Sequence, residues 1–573
     1  MKTNRELSRR KVLAGASALG WVAAFRIGPA DAQASAVPPS LPAGLTFYLQ
    51  AYTNWSKEIS IDSLWTCAPK SPLEIVALAN WAKTTGYTLR PKGHSHNWSP
   101  LTVAQGTTAA NTRVILVDTT QHLTAICINT ASTPKTVTVQ TGASMEALLT
   151  ALEGSGLGMT ATPAPGDLTV GGVLAIDGHG TGIPAKGEAR VPGHTFGTLS
   201  NLITSLTAVC WNASTSRYEL KTFARSHPEA KAFLAHVGRA FVTEVTLQTG
   251  ANSLLRCQSR VDIPAATLFA PAGTAGETFA KFCDTAGRVE AIWFPFTPNP
   301  WLKVWSKTAP NPFFSRQVTA PYNYSFSDQL DGSLADGLAA LIKANPSLTP
   351  DFGLLQYNLV SLGLLTTFTW DIWGHSKNLL LYVKPTTLRV TANGYAVMCK
   401  RADVQRVIHE FYVFYKAQVE TYRARGQFPM NGPVEIRVTG IDAAADVAVP
   451  SSGAGQLSAV RPRRDHPEWD CAVWLDILTF PGTAHANTFY KEVEAWVFAN
   501  YASYAGPRVE WSKGWGYTDT AAWADPTALS TTVPQSLRVG QVVGDNFDTA
   551  RATLNRYDPY RLFTSPLVKK LLP

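Results

Sequence analysis

Two glycine-rich stretches carry the residues best placed to grip a phosphate-bearing ligand. The first reads Arg90-Pro91-Lys92-Gly93-His94-Ser95-His96-Asn97-Trp98-Ser99-Pro100 and follows a strand-like run that ends near Leu89-Arg90. A turn of glycine and small residues exposes consecutive backbone N–H groups, and such a concavity cradles anions. The second reads Asp167-Leu168-Thr169-Val170-Gly171-Gly172 and continues to Asp177-Gly178-His179-Gly180-Thr181-Gly182. Its glycines again let the main chain approach a ligand closely. Neither stretch matches a Rossmann or P-loop fingerprint, and each alone also reads as an ordinary turn. His94 and His96 also fit an H-x-H pair on one strand face, hydrogen-bonded or ligating a metal, although no third ligand lies nearby. A neutral imidazole nitrogen is in addition a competent nucleophile.

Three later segments place charged side chains on otherwise apolar patterns. In Gly432-Pro433-Val434-Glu435-Ile436-Arg437-Val438-Thr439-Gly440, strand alternation puts Glu435 and Arg437 on the face opposite Val434, Ile436 and Val438. That face binds an oxyanion or gates polar access, or else forms a surface ion pair on an edge strand. In Gly287-Arg288-Val289-Glu290-Ala291-Ile292-Trp293-Phe294, Glu290 shares its face with Ile292 and Phe294. A carboxylate on an apolar face is pushed toward its protonated form, which suits a proton acceptor from an alcohol, whereas on a solvated face it is ordinary. Lys513, in Arg508-Val509-Glu510-Trp511-Ser512-Lys513, either faces a site or is a solvated lysine.

These residues need elements to hold them. From about Thr46 to Leu247, β-branched runs such as 114–117, 137–139 and 202–209 alternate with helical patterns such as 72–84. After about Ala251 the pieces become longer, more aromatic and more strand-like, which sets the first domain boundary.

The chain has 573 residues, 45% hydrophobic and 16% charged, so it is globular and long enough for two or more domains. The net charge of +9 is thinly spread, with no Lys/Arg run dense enough to track a phosphate backbone, which excludes nucleic acid as the expected partner. A modest positive charge suits transient contact with an anionic membrane surface, or solubility alone. Seven scattered cysteines include no C-x-x-C pair, so zinc and thioredoxin-type chemistry are not indicated, and pairing stays open. At the start, Ser8-Arg9-Arg10-Lys11 precedes an apolar run from Val12 to Phe25 and then Ala30-Asp31-Ala32-Gln33-Ala34. Residues 1–36 therefore read as a twin-arginine signal peptide, which implies a secreted or periplasmic protein.

Together the two glycine-rich stretches resemble the FAD-binding domain of the vanillyl-alcohol oxidase family, with its R-x-x-G-x-x-H loop followed by a D-x-T-V-G-G segment ending in G-H-G. The run Gly238-Arg239-Ala240-Phe241-Val242-Thr243-Glu244-Val245-Thr246-Leu247 is similar to the strand that closes that domain. The tail Tyr557-Asp558-Pro559-Tyr560-Arg561-Leu562-Phe563 is similar to the segment that returns to it. The substrate segments, with the first loop, look most like those of the bacterial covalent-flavin (class II) cholesterol oxidases. The resemblance implies an α+β, two-domain vanillyl-alcohol oxidase-like fold: an FAD-binding domain over residues 37–250, a sheet-and-helix substrate domain over 251–506, and a C-terminal return to the FAD domain over 507–573. It implies FAD held by Arg90, Pro91, Lys92, Gly93, His94, Ser95, Asn97, Asp167, Thr169, Val170, Gly171, Gly172, Gly178, His179, Gly180 and Val242, with a covalent bond to His96. The family has a small residue at the position of His94, so His94 is the alternative attachment point. The implied reaction is oxidation of a sterol 3-hydroxyl with oxygen reduced to hydrogen peroxide. Glu290 would be the base or its orienter, Arg437 and Glu435 would stabilise the substrate oxygen, and Lys513 would lie near the flavin ring. The rival expectations are a sugar, alditol or aldonolactone oxidase of the same family, and an exported binding protein without catalysis. The aromatic, weakly polar substrate segments disfavour the sugar, whose hydroxyls need many polar partners.

Overall fold

The computed structural model of the protein describes residues 37–39, 41–328, 331–382 and 387–573. The expected signal peptide at 1–36 lies outside the described residues.

Three main sheets build the molecule. The first has four strands in the order Phe47–Thr53, Ser60–Cys67, Val114–Asp118, Thr88–Lys92, and joins an antiparallel hairpin to two parallel strands. The helix Pro72–Thr85 links its second and fourth members. Ser71 caps it by accepting from the Glu74 N–H, proline stands at its start, and Gly86 ends it in the left-handed region at φ 74°. Its buried Ile75, Leu78, Ala79 and Ala82 pack with Leu89, Ile115 and Val117 of the sheet. The strand before the first glycine-rich loop continues through Pro91 and Lys92, two residues beyond the expected end at Arg90. Its parallel pairing with Val114–Asp118 reaches Lys92 opposite Asp118.

The second sheet is antiparallel, in the order Ile126–Asn129, Thr136–Gln140, Phe241–Gln248, Ile203–Asn212, Arg217–Ala224. The third has nine strands: Arg316–Gln317, Asp371–His375, Leu254–Arg260, Trp301–Lys307, Arg288–Trp293, Val434–Gly440, Cys471–Thr479, Thr391–Cys399 and Gly506–Val509. Its sequence alternation sorts side chains cleanly between two faces. Val289, Ile436, Val438, Val473, Leu475 and Ile477 join one core with Phe411 and Tyr415 of the helix Val404–Arg423 and with Phe489 and Val493 of the helix Ala486–Asn500. The opposite face presents Glu290, Ile292, Trp301, Lys303, Trp305, Glu435, Arg437 and Trp474 to a cavity.

The C-terminal segment divides its contacts. Gly506–Val509 adds an edge strand to the nine-stranded sheet, beside Thr391–Cys399. Farther on, the Asp558 carboxylate accepts from Tyr218 Oη and Arg239 Nη1, each at 2.5 Å, and from the backbone N–H groups of Leu562 and Phe563. Leu89 N–H in turn donates to the Leu562 carbonyl. Residues Pro38–Pro573 form one compact unit.

Candidate functional site

A single cavity of about 580 Å³ runs from the glycine-rich loops to the face of the nine-stranded sheet. One part is walled by residues 90–98, by Thr169, Gly171 and Gly172, by residues 175–181, and by His236, Gly238 and Val242. Of the expected ligand-holding residues, Asp167 and Val170 do not line it. Val170 is buried in the main core, because the short helix that starts there turns it inward. Asp167 is half-buried, close enough to Arg389 to favour its charged form.

The glycines are required by close packing. A Cβ on Gly93 would stand 2.4 Å from Thr169 Oγ1, joining the two loops, and one on Gly180 would stand 2.3 Å from Thr162 N. Arg90 fixes the ends of the first loop: Nε donates to the Thr102 carbonyl, Nη1 to Gly238 and Nη2 to Leu101, at 3.1, 2.8 and 2.5 Å. Lys92 pairs with Asp118 at 3.0 Å. Asn97 accepts from Tyr52 Oη and donates to the Ser99 carbonyl. Among the described residues, Gly93, His94, Ser95 and Asn97 donate no hydrogen bond from their N–H groups to other main-chain groups. On the same wall, Thr162 Oγ1 and Asp177 Oδ1 are buried and lack a partner among the described residues. A loop of unengaged donors with orphaned buried oxygens fits a dinucleotide that brings its own acceptors and donors.

His94 and His96 lie in a turn, with Ser95 between them at φ 60°, and not on a strand face as an H-x-H pair would require. His94 is exposed. His96 is half-buried and stacks on Trp55, ring centroids 3.9 Å apart and planes 18° apart. No group of three metal-ligating side chains occurs among the described residues.

The sheet face supplies the charged cluster. The register places Glu290 opposite both Arg437 and Lys303, so this carboxylate sits between two cations and not on a purely apolar face. Arg437 Nη1 is 3.4 Å from Glu290 and 3.3 Å from Glu435, and Lys303 Nζ is 4.0 Å from Glu290. Asp476, fully buried, pairs with Arg437 through Nη2 and lies 3.5 Å from Lys513 Nζ. Burial works against charge on Asp476, but Lys513 and Arg437 outweigh it and hold its carboxyl below the usual range. Burial likewise opposes charge on Arg437 and Lys513, and the surrounding carboxylates keep both firmly protonated. On Glu510 the same two cations are outweighed: burial and the Asp476 charge push it up to about 8. Burial also drives Glu435 upward.

Sequence reasoning missed Asp476, Lys303 and Glu510. The alternation Trp474-Leu475-Asp476-Ile477-Leu478 marks Asp476 as a lone charge in a strand whose every residue is buried. That was a usable signal, since buried carboxylates are rare without a partner. His179, at the heart of the G-H-G, stacks on Trp474 at 3.7 Å and donates from Nδ1 to the Gly180 carbonyl at 2.8 Å. Burial, with Arg437 and Lys513 nearby, lowers its pKa to about 4, so it is neutral at neutral pH.

Beyond the cluster, the cavity opens into a chamber of Phe294, Trp301, Trp305, Tyr322, Tyr324, Phe326, Phe352 and the helix Thr349–Thr366. Leu334, Leu355 and Leu359 line this end and are also exposed to solvent.

Comparison with known proteins follows the same division. Residues 65–211 match the model of an FAD binding domain, and residues 254–573 match that of the cholesterol oxidase substrate-binding domain. A search of the curated proteins returned no significant match. Among solved structures, a solvent-stable cholesterol oxidase is 56% identical, covering 94% of this chain and 100% of its own, with a TM-score of 0.91. The cholesterol oxidase of Brevibacterium sterolicum is 46% identical over 94% of this chain and 99% of its own, with a TM-score of 0.91, and a histidine-to-alanine variant of it matches equally. A chitooligosaccharide oxidase, 11% identical over 90% of this chain and 93% of its own, has a TM-score of 0.51 and shares the fold. The expected two-domain architecture, FAD-binding plus substrate-binding, is therefore present. A substrate-binding model that matches more than half of the chain, and relatives aligned along nearly all of it, show that this chain belongs to the cholesterol oxidase family of FAD-binding flavoproteins.

Proposed function

We propose that the protein oxidises the 3β-hydroxyl of cholesterol or a similar sterol to the ketone, reduces oxygen to hydrogen peroxide, and moves the Δ5 double bond to Δ4. One observation carries this reading: the glycine-walled cradle and the aromatic chamber are one continuous cavity, with the charged cluster at their junction. FAD, when bound, supplies the two-electron acceptor. The chain's own residues do the rest. Apolar walls suit a rigid hydrocarbon skeleton and offer few partners to a sugar. Glu290, oriented by Lys303 and Arg437, accepts the hydroxyl proton directly or through a bound water. Arg437, steadied by Asp476 and Glu435, stabilises negative charge on the substrate oxygen. Lys513 places a buried cation beside the flavin cradle. Carboxylates facing the chamber also supply the proton carrier that isomerisation needs.

Three finer points belong to the same reading. The flavin is joined through His96, whose ring is held by a stack while that of His94 is exposed. The sterol enters from a membrane surface: Leu355, Leu359 and Leu362 form an exposed stripe on one helix at the cavity mouth. Residues 1–36 direct export, and exported protein whose first residue is Met1 would remove this point.

The decisive experiment mixes the yellow protein with cholesterol without air and follows the flavin absorbance. Rapid bleaching is expected. Retained colour with flavin bound would overturn the sterol as reductant.

A further inference from the structure

Two features take no part in the charged cluster: the aromatic box around His96, and the half-buried Asp167, which stands off the cavity wall. They belong together. Trp55 sits in the turn between Phe47–Thr53 and Ser60–Cys67, a turn closed by Asn54 Oδ1 accepting from Ile59 N–H at 3.0 Å. This turn is sewn onto the His96 loop. Trp55 N–H donates to the Asn97 carbonyl at 3.2 Å, and Asn54 Nδ2 to the Trp98 carbonyl at 3.0 Å. One indole face of Trp55 stacks on the His96 imidazole, and the Arg389 guanidinium lies over the Trp55 ring at 4.0 Å from its centroid. Trp98 meets the imidazole edge-on, planes 79° apart, and its Nε1 donates to the Val390 carbonyl at 2.8 Å. Neighbouring residues 389 and 390 of the substrate domain thus grip both indoles that frame the histidine. Burial opposes charge on Arg389, and the Asp167 and Asp336 carboxylates favour it.

We propose that Trp55, backed by Arg389, is the positioning residue that fixes the His96 imidazole for bond formation with the flavin 8α-methyl carbon. This rests on attachment at His96, as argued above. Stacking holds the ring plane, so the attacking nitrogen points along one direction. The Arg389 guanidinium over the Trp55 ring pins the indole by a cation–π contact, which a neutral side chain would not make. In the attachment step a methyl C–H bond and the imidazole N–H bond break and an N–C bond forms. The two electrons and two protons released reduce the flavin ring, and molecular oxygen then removes them as hydrogen peroxide, leaving an oxidised, attached flavin. Asp167 acts at one remove, by favouring the charge on Arg389.

The test uses the full-length, flavin-containing protein and acid precipitation, which separates attached from merely bound flavin. Total bound flavin is measured alongside by absorbance of the native protein. Wild type should keep its flavin in the pellet, and His96→Ala should release it. Trp55→Leu should bind flavin but attach it about tenfold to a hundredfold more slowly, the range expected for a misplaced reacting group. Trp55→Phe should restore most of the rate. Arg389→Gln should slow attachment, and Arg389→Lys should recover it, a pattern that simple loss of packing would not give. Attachment at the wild-type rate in both Trp55→Leu and Arg389→Gln, with His96→Ala releasing its flavin, would overturn the proposal alone. Complete release from wild type would overturn attachment itself and the proposal with it. A Trp55→Leu protein that binds no flavin leaves the decision to the Arg389→Gln and Arg389→Lys pair.

Discussion

Glu290 and Asp476 do different work though both are acids on the same sheet. Glu290 faces the chamber between Lys303 and Arg437, where a proton from an alcohol can reach it. Glu290→Gln should lower the rate of flavin reduction by sterol about a hundredfold or more, the usual range for a positioned acid or base. Stopped-flow mixing without oxygen measures this, and near-normal rates would remove Glu290 from the mechanism. Asp476 has no solvent-facing atom and neutralises Arg437 and Lys513 together. Asp476→Asn leaves the buried Lys513 and the half-buried Arg437 with less compensation, which costs about 3–5 kcal/mol when a buried pair is broken. The expected readout is a lower melting temperature with flavin still bound; an unchanged one would mean that water or Glu510 takes over its part. Glu290, Glu435, Arg437 and Lys513 were legible from strand alternation and resemblance. Asp476 and Lys303 were not singled out: Lys303 gains its meaning opposite Glu290 on another strand, and the part Asp476 plays shows only in the register, where it opposes Glu435 and stands two residues from Trp474, the residue opposite Arg437.

At the scale of elements, the strands and the first helix were readable because their apolar periods match their environment, as 114–118 and 72–85 illustrate. The loops were readable only as compositions. Gly93 and Gly180 announce close approach, but what they approach, Thr169 and Thr162, is set by how other stretches of chain fold back on them. Val170 shows the same limit: inside a glycine-rich motif, its side chain serves the core. The helix Thr349–Thr366 invites a different prediction. A globular helix hides its leucines, whereas this one leaves Leu355, Leu359 and Leu362 exposed at the cavity mouth. Leu359→Asp with Leu362→Asp should weaken oxidation of cholesterol in vesicles while sparing that of detergent-dispersed cholesterol. Equal losses on both substrates would place the effect in the chamber and not at a membrane. No described helix is long and apolar enough to cross a membrane.

Among the described residues, His179, His194 and His236 are held as neutral rings, the last two buried and His179 half-buried. Burial lowers His179 to about 4, His194 to about 4 and His236 to about 3, from the ordinary 6.5. The unfolded chain binds these protons at a pH where the folded chain does not, so stability is full above about pH 6.5 and is lost as pH falls toward 4. Melting temperatures of the protein should therefore fall across that window, before most carboxylates titrate. His194→Asn, away from the cavity wall, should flatten the fall, and an identical slope would assign it elsewhere.

The divided C-terminal segment has a consequence for biosynthesis. Glu510 and Lys513 arrive on the ribosome after nearly all other cavity residues, and the Asp558 latch onto Tyr218 and Arg239 later still. While the chain is being made, its first two sheets can form, yet the cavity floor and the clasp behind them are missing. Cofactor capture is thus expected to follow synthesis of the C-terminal segment, and a ribosome stalled before residue 506 should display a nascent chain that binds FAD far more weakly than the released protein.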